Sequence, residues 1–181
     1  MGVRSSNFGV VVWITGLSES GKTSVGRHLV DHLNEFKPTV FLDGDELRSA
    51  LGVTDNYSRE QRILLATTYF KLAKLLADQG LVVVVATLAM FREIYDWNRA
   101  NQKNYMEIFL DVPLKVLFER DTKGLYSRYR QGLEKNIAGL DLQIDIPDDP
   151  DLIFSNDQNL VAEEIALRVS ETVIAKYKLK L

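Results

Sequence analysis

Cysteine is absent from all 181 residues of the sequence. Disulfide bonds, thiolate nucleophiles and cysteine metal sites are therefore excluded, and the composition is compatible with a reducing cytoplasm, where we expect the protein. The sequence also lacks a run of the roughly 18 apolar residues that a membrane span requires. The apolar stretch near the start is short and leads into a glycine-rich loop, so we expect neither a secretion signal nor a membrane partner.

A basic excess is missing as well. The chain has 22 lysines and arginines against 25 aspartates and glutamates, which gives a formal net charge of -3. Nucleic-acid binders usually carry a basic excess, so we expect no nucleic-acid partner. The 46% of hydrophobic residues is typical of a globular protein, and the length suits one domain over residues 1–181.

Short apolar runs alternate with helical patterns along the chain. Five runs predict strands: Val10–Thr15, Thr39–Gly44, Leu81–Leu88, Met106–Val112 and Asp151–Asn156. Because these runs are continuous, the strands should be buried on both faces, as in a parallel sheet. Apolar residues at helical spacing predict helices over residues 22–34, 58–79, 114–120 and 159–178. The order predicts an α/β fold, a parallel β-sheet core flanked by helices on both sides, with ligands bound at the carboxyl ends of the strands.

A phosphate-binding pattern follows the first predicted strand. Gly16, Gly21, Lys22 and Thr23 satisfy G-x-x-x-x-G-K-[ST]. The glycines allow the backbone N–H groups to approach phosphate oxygens, Lys22 would reach the β and γ phosphates, and Thr23 would ligate Mg²⁺. The pattern predicts the P-loop NTPase fold with ATP and Mg²⁺ as cofactors. The predicted nucleotide site comprises Gly16, Leu17, Ser18, Glu19, Ser20, Gly21, Lys22, Thr23 and Ser24. Glu19 is a carboxylate inside this anion-binding loop, and we expect it to point to solvent.

The second predicted strand ends in "LDGDELR", which contains Asp43, Asp45 and Arg48. A carboxylate can orient an acceptor hydroxyl and accept its proton, and an arginine can hold an anionic part of the acceptor. If the second strand neighbours the first, these residues lie beside the phosphate loop. The alternative is a strand-end turn with an aspartate that caps a helix. The phosphate loop upstream favours the functional interpretation.

These motifs resemble those of one family. The stretches "GLSESGKTS", "LDGDELR", "YSREQR" and "FLDVPLKVLFERDTKGLY" occur in the same order in adenylylsulfate kinases, and the resemblance spans about Val12 to Phe154. It implies a small P-loop kinase that transfers the γ-phosphate of ATP to a ribose 3′-hydroxyl of adenylylsulfate, as in sulfate assimilation, and that forms a homodimer.

The resemblance also implies individual roles. Asp45 would be the catalytic base beside Lys22, Arg120 would lie near the adenine, and residues 121–139 would form a lid from which Lys123 reaches the phosphates. The acceptor nucleotide would be bound by Asp43, Arg48, Tyr57, Arg62, Leu65, Leu88, Phe91 and Ile137.

Departures from the family pattern cluster on the acceptor side. Leu65 stands where the family has asparagine, and Ile137 stands where it has a stacking phenylalanine; "LAMFR" brings Ala89 and Met90 in place of serine and proline. These exchanges remove stacking area and polar readout, so the acceptor can differ from adenylylsulfate. The alternative acceptor is cytidine diphosphoramidate, used by relatives that act in bacterial capsule biosynthesis. A regulatory nucleotide binder and a degenerate, inactive kinase are further alternatives; the intact Lys22 and Asp45 disfavour the latter.

Overall fold

The computed structural model describes residues 9–53, 58–155 and 161–180, in which five parallel strands form one sheet. The strands are β1 (Val10–Thr15), β2 (Thr39–Asp43), β3 (Val82–Ala86), β4 (Tyr105–Asp111) and β5 (Leu152–Ser155). They lie in the order β2-β3-β1-β4-β5. The predicted strands are confirmed, with bounds that differ by two residues or fewer at each end that the structure describes.

Seven helices are found within these ranges. They are α1 (Lys22–Asn34), α2 (Gly44–Ala50), α3 (Arg59–Asp78), α4 (Arg92–Asn101), α5 (Leu114–Arg120), α6 (Leu125–Arg130) and α7 (Ala162–Tyr177). The bounds predicted for α1 and α5 match, and those for α3 are one residue too wide at each end. The sequence patterns did not predict α2, α4 or α6. None of the helices in the described part of the chain is long and apolar enough to cross a bilayer.

The sheet is buried on both faces, as its continuous apolar strands predict. Along β1, Val10, Val12 and Ile14 pack toward α1 and α7, whereas Val11 and Trp13 pack toward α3 and α4. All five side chains are fully buried. Because successive side chains of a strand point to opposite faces, one apolar run supplies two hydrophobic layers.

β2, the strand that ends in "LDGDELR", does not lie next to β1. β2 pairs with β3, in register from Thr39 opposite Val82 to Asp43 opposite Ala86, and β3 lies between β2 and β1. The assumption that the second strand neighbours the first is therefore wrong. The end of β2 nevertheless reaches the phosphate loop, because α1 packs across β3 and β2 and brings Thr23 to Asp43.

Candidate active site

The phosphate loop (residues 16–23) lies between β1 and the start of α1. Gly16 adopts φ 151°, and a Cβ there would stand 2.7 Å from the carbonyl oxygen of Leu110, so only glycine fits. Gly21 adopts φ 93° directly before α1. The loop therefore turns the chain sharply and directs the start of α1 at the cavity described below, an arrangement suited to binding an anion.

Lys22 lies partly buried in the first turn of α1. Its Nζ donates to the carbonyl oxygen of Leu17 at 2.6 Å and lies 3.4 Å from Oγ of Ser20. Burial, and next the charge of Lys123, lower the pKa of Lys22 to about 7. The ammonium thus lacks a close anionic partner among the described residues, and a bound phosphate would supply one.

Asp43 connects the phosphate loop to α2. Thr23 donates its Oγ1 hydrogen to Oδ2 of Asp43 at 2.6 Å, and Oδ1 of Asp43 accepts from the backbone N–H groups of Asp45 at 2.8 Å and Glu46 at 3.3 Å. Asp43 is only 4% exposed. It therefore serves as the helix cap, which was one interpretation of this turn, and it also holds the hydroxyl that the motif assigns to Mg²⁺.

Asp45 differs from Asp43 in exposure. Half of its side chain is exposed, and its carboxylate forms ion pairs with Arg48, three residues on, and with Lys123 of the lid segment (residues 121–139). Asp45 is therefore a solvent-facing carboxylate held between two cations. Of the two aspartates that line the cavity, Asp45 is the more exposed to an incoming hydroxyl.

One cavity of about 710 Å³ connects these parts. Predicted donor-side residues that line it are Ser18, Glu19, Gly21, Lys22, Thr23, Ser24, Arg120 and Lys123; predicted acceptor-side residues are Asp43, Asp45, Arg48, Arg62, Leu88 and Ile137. The structure thus places the phosphate loop and the carboxylate of Asp45 on the same cavity. Gly16, Leu17 and Ser20 belong to the loop without lining the cavity.

The acceptor side of the cavity has an aliphatic wall. Leu88, Ile137 and Ala138 line it, and within the described ranges no aromatic side chain does. Arg62 spans the cavity and donates from Nη2 to the carbonyl oxygen of Asn136 at 3.1 Å. Its backbone N–H donates to the carbonyl oxygen of Ser58 at 3.0 Å, next to the capping box of α3, in which the side chains of Ser58 and Gln61 each accept from the other's backbone N–H.

Two of the described residues predicted to bind the acceptor do not line the cavity. Leu65 packs against the core between α3 and the sheet. Phe91 is 1% exposed, and the guanidinium of Arg59 covers its ring at 5.1 Å. The structure brings neither to the cavity lining, and their roles in acceptor binding stay predictions. Tyr57 lies outside the described residues.

Glu19 does not point to solvent as expected. Its Oε2 accepts from Oγ1 of Thr122 at 2.8 Å, and its carbonyl oxygen accepts from Nη1 of Arg120 at 3.3 Å. The neighbouring carbonyl oxygen of Ser18 accepts from the hydroxyl of Tyr126 at 3.0 Å. The phosphate loop is thus bonded to the beginning of the lid segment.

Further lining residues were not assigned from the sequence. Thr122, Glu134 and Lys135 fall within the predicted lid segment, where the sequence assigns roles to Lys123 and Ile137 but not to these three, and the sequence does not point to Arg27 or Thr87. Arg27 lies one helical turn after Thr23, so the spacing on α1 could have indicated it. Thr87 directly follows β3, and its position required the strand order.

No cluster of three or more metal-ligating side chains occurs within residues 9–53, 58–155 and 161–180. A Mg²⁺ site built on Thr23 and Asp43 would therefore need phosphate oxygens and water as its other ligands, which is how this ion is commonly held in kinases.

Comparisons with known proteins point to one family. A sequence model of adenylylsulphate kinases matches residues 8–155. A cytidine diphosphoramidate kinase of Campylobacter jejuni is 40% identical over 166 residues, which cover 91% of this chain and 96% of that protein. An adenylyl-sulfate kinase of Clostridium kluyveri is 32% identical over 157 residues, 86% of this chain and 79% of that one.

The fold agrees with this result. The APS kinase of Mycobacterium tuberculosis, solved in complex with AMPPNP and APS, superposes with a TM-score of 0.83 at 32% identity, over 93% of this chain and 98% of that chain. Together with the phosphate loop, the parallel sheet and the facing carboxylate, these matches show that the chain belongs to the adenylylsulphate kinase family of ATP-dependent phosphotransferases.

Proposed function

We propose that the protein transfers the γ-phosphate of ATP to a ribose 3′-hydroxyl of cytidine diphosphoramidate. The observation that carries the transfer reaction is that Lys22 of the phosphate loop and the carboxylate of Asp45 line the same cavity. The choice of acceptor is supported by the 40% identity, over nearly the full length of both chains, to a cytidine diphosphoramidate kinase.

The donor side binds and neutralises phosphate. The N–H groups of the phosphate loop and the start of α1 would bind the β and γ phosphates, with the ammonium of Lys22 beside them. Thr23 and Asp43, joined at 2.6 Å, would hold Mg²⁺ through the hydroxyl oxygen and the carboxylate or its water. The ion would neutralise charge that develops on the phosphate oxygens.

The acceptor side orients the nucleophile. Asp45 would accept a hydrogen bond from the ribose hydroxyl and take its proton as the oxygen attacks the γ-phosphorus. One P–O bond forms to the ribose, the bond between the γ-phosphorus and the bridging oxygen breaks, and ADP leaves. The ion pairs with Arg48 and Lys123 fix the direction of the carboxylate.

The aliphatic wall suits a small base. Ile137 is 6% exposed and packs on Tyr126 and Leu117, so it presents a branched apolar surface without a π face. Aromatic stacking contributes roughly 1–3 kcal/mol per base in single-strand binding proteins. A pyrimidine has less surface to stack than a purine and therefore loses less at such a wall. Arg48 and Arg62 supply the positive charge for the diphosphate part of the acceptor.

Adenylylsulfate is the second candidate acceptor. It is favoured by the family match and by the likeness to a structure solved with APS. Both candidates present a ribose hydroxyl and an anionic anhydride, a phosphosulfate in one and a substituted diphosphate in the other, so the same donor side serves either.

The test is ADP production from Mg-ATP with purified protein, with cytidine diphosphoramidate, adenylylsulfate and CMP supplied in parallel. We expect kcat/KM for the cytidine compound to exceed that for adenylylsulfate by about tenfold or more, the size of one lost stacking contact. Phosphorus NMR of the product identifies the hydroxyl that is modified. A preference for adenylylsulfate would contradict this choice and identify adenylylsulfate as the acceptor.

Lys22→Ala serves as the negative control, because it removes the phosphate-loop cation while the strand and helix around it remain. Slow ATP hydrolysis that no acceptor accelerates would instead indicate a regulatory nucleotide binder. The homodimer implied by the family resemblance is checked in the same preparation by light scattering.

A further inference from the structure

Glu19 has a backbone conformation that is uncommon for its residue type. It adopts φ 64° in the middle of the phosphate loop, in the left-handed region that glycine enters freely and most other residues avoid. The backbone of this glutamate is therefore strained. Any compensation for this strain comes from the side chain, which glycine would lack.

The side chain connects the loop to the lid segment. Thr122 donates to Oε2 of Glu19 at 2.8 Å, and Arg120 donates to its carbonyl oxygen at 3.3 Å. The second carboxylate oxygen, Oε1, is buried and accepts no hydrogen bond from the described residues. One oxygen is thus engaged with the lid segment, and the other is held without a partner beside the loop.

The negative charge of the Glu19 carboxylate opposes the binding of anions by the phosphate loop. Nucleotide phosphates are anions that bind to the loop N–H groups, and a carboxylate within the loop repels them. The electrostatic field of Glu19 reaches the phosphate site. Burial and the charge of Lys123 lower the pKa of Lys22, and the negative charge of Glu19 partly offsets this effect. The glutamate therefore acts on the same cation that the phosphates would contact.

We propose that Glu19 is a positioning residue that weakens the binding of nucleotide phosphates and links it to the lid segment through Thr122, so that ADP leaves faster after transfer. Phosphates bound in the loop repel the carboxylate of Glu19. Because this carboxylate accepts a hydrogen bond from Thr122, the repulsion is passed to the first residues of the lid segment. By reciprocity, the hydrogen bond from the lid segment keeps the negative charge of Glu19 close to the phosphates and so weakens their binding. The inference rests on the proposed function only in taking ADP as the product bound in the loop.

The charge is tested with Glu19→Gln, whose amide oxygen still accepts from Thr122. The dissociation constant of ADP is measured by calorimetry, and its release rate by displacement of a fluorescent ADP analogue. Measurement at about pH 6 keeps Lys22 of the wild type largely protonated with and without ADP, since its pKa there is about 7. We expect ADP to bind about fivefold or more tightly and to dissociate correspondingly more slowly, as expected for one removed charge near a multivalent anion. Glu171→Gln, on the exposed face of α7, removes the same charge away from the cavity and should leave both values unchanged.

The link to the lid segment is tested with Thr122→Val. Valine has nearly the shape of threonine but cannot donate a hydrogen bond to Glu19, and the charge of Glu19 is unchanged. Hydrogen exchange of residues 120–126 without nucleotide should become about threefold faster or more in this variant, as expected for one lost hydrogen bond. It should stay as in the wild type in Glu19→Gln. Glu19→Gly relieves the backbone strain and removes both charge and link, so it should show both the slower ADP release and the faster exchange.

The outcomes separate the two proposals. If the wild type binds neither ATP nor ADP, the proposed function fails, and this inference fails with it. If the wild type binds ADP but the release rates of Glu19→Gln and Glu19→Gly stay within about twofold of it, or become faster, this inference alone is refuted. Unchanged exchange in both Thr122→Val and Glu19→Gly would refute the link to the lid segment.

Discussion

The lowered pKa of Lys22 predicts that nucleotide binding takes up a proton. In the nucleotide-free protein the pKa of this amine is about 7, because burial and the charge of Lys123 disfavour its ammonium form. Phosphates in the loop would favour the ammonium and return the pKa toward the ordinary lysine value of about 10.4. The complex then binds more protons than the free protein between these two values, so the affinity for ATP falls as the pH rises through this window.

The size of the effect follows from the free pKa of about 7. At pH 8 roughly one free molecule in eleven carries the proton, so binding should take up about 0.9 protons. Between pH 8 and pH 9, the affinity should fall about tenfold. ATP itself is fully ionised in this range, so its own titration does not contribute.

Titration calorimetry in two buffers of different ionisation enthalpy measures the proton uptake directly. Lys22→Arg is the matched control, because it keeps a cation at the position but has no proton to gain at pH 8 to 9. The reasoning is refuted if the wild type binds Mg-ATP at pH 8 with less than about 0.3 protons taken up, or if Lys22→Arg shows the same pH dependence.

Four other positions test separate parts of the structure. Asp45→Asn should lower kcat about a hundredfold with ATP affinity retained; near-normal turnover together with a crippled Asp43→Asn would make Asp43 the base. Asp43→Ala should lower the free energy of unfolding by about 1 kcal/mol in chemical denaturation, because it removes the side-chain oxygen that caps α2. Ile137→Phe should raise the kcat/KM ratio of adenylylsulfate to cytidine diphosphoramidate about tenfold, and an unchanged ratio would show that this wall does not select the base. Gly26→Ala places a Cβ 2.4 Å from the ring of Phe41 and should cost about 1–3 kcal/mol of stability by thermal unfolding; an unchanged Tm would mean that the ring has room to move.

The sequence predicted elements best where strong local signals bound them. α1 follows Gly21 and α5 follows Pro113, and both helices have the predicted ends. α2 has only seven residues and depends on a cap from Asp43, so it has no apolar periodicity to detect. α4 was missed because its buried face includes Asn98 among Ile94 and Tyr95.

The same distinction applies to the candidate site. The phosphate loop is contiguous in sequence, and its motif places the lysine and the hydroxyl on one cavity. The acceptor side is assembled from distant segments: the bond from Arg62 to Asn136 joins positions 74 residues apart. No local sequence pattern predicts such a contact. The same holds for the hydrogen bond that Glu19 accepts from Thr122, which lies 103 residues later in the chain.

The strand order has a consequence for how this family can diversify. The residues assigned to chemistry stand at the ends of β1 and β2 and in the first turns of α1 and α2, which a buried sheet holds rigidly. The aliphatic wall proposed to meet the acceptor is made by Leu88 after β3 and by Ile137 near the end of the lid segment. Exchanges at these wall positions can alter the acceptor while the transfer machinery keeps its geometry. Kinases with different nucleotide acceptors are therefore an expected product of evolution on this scaffold.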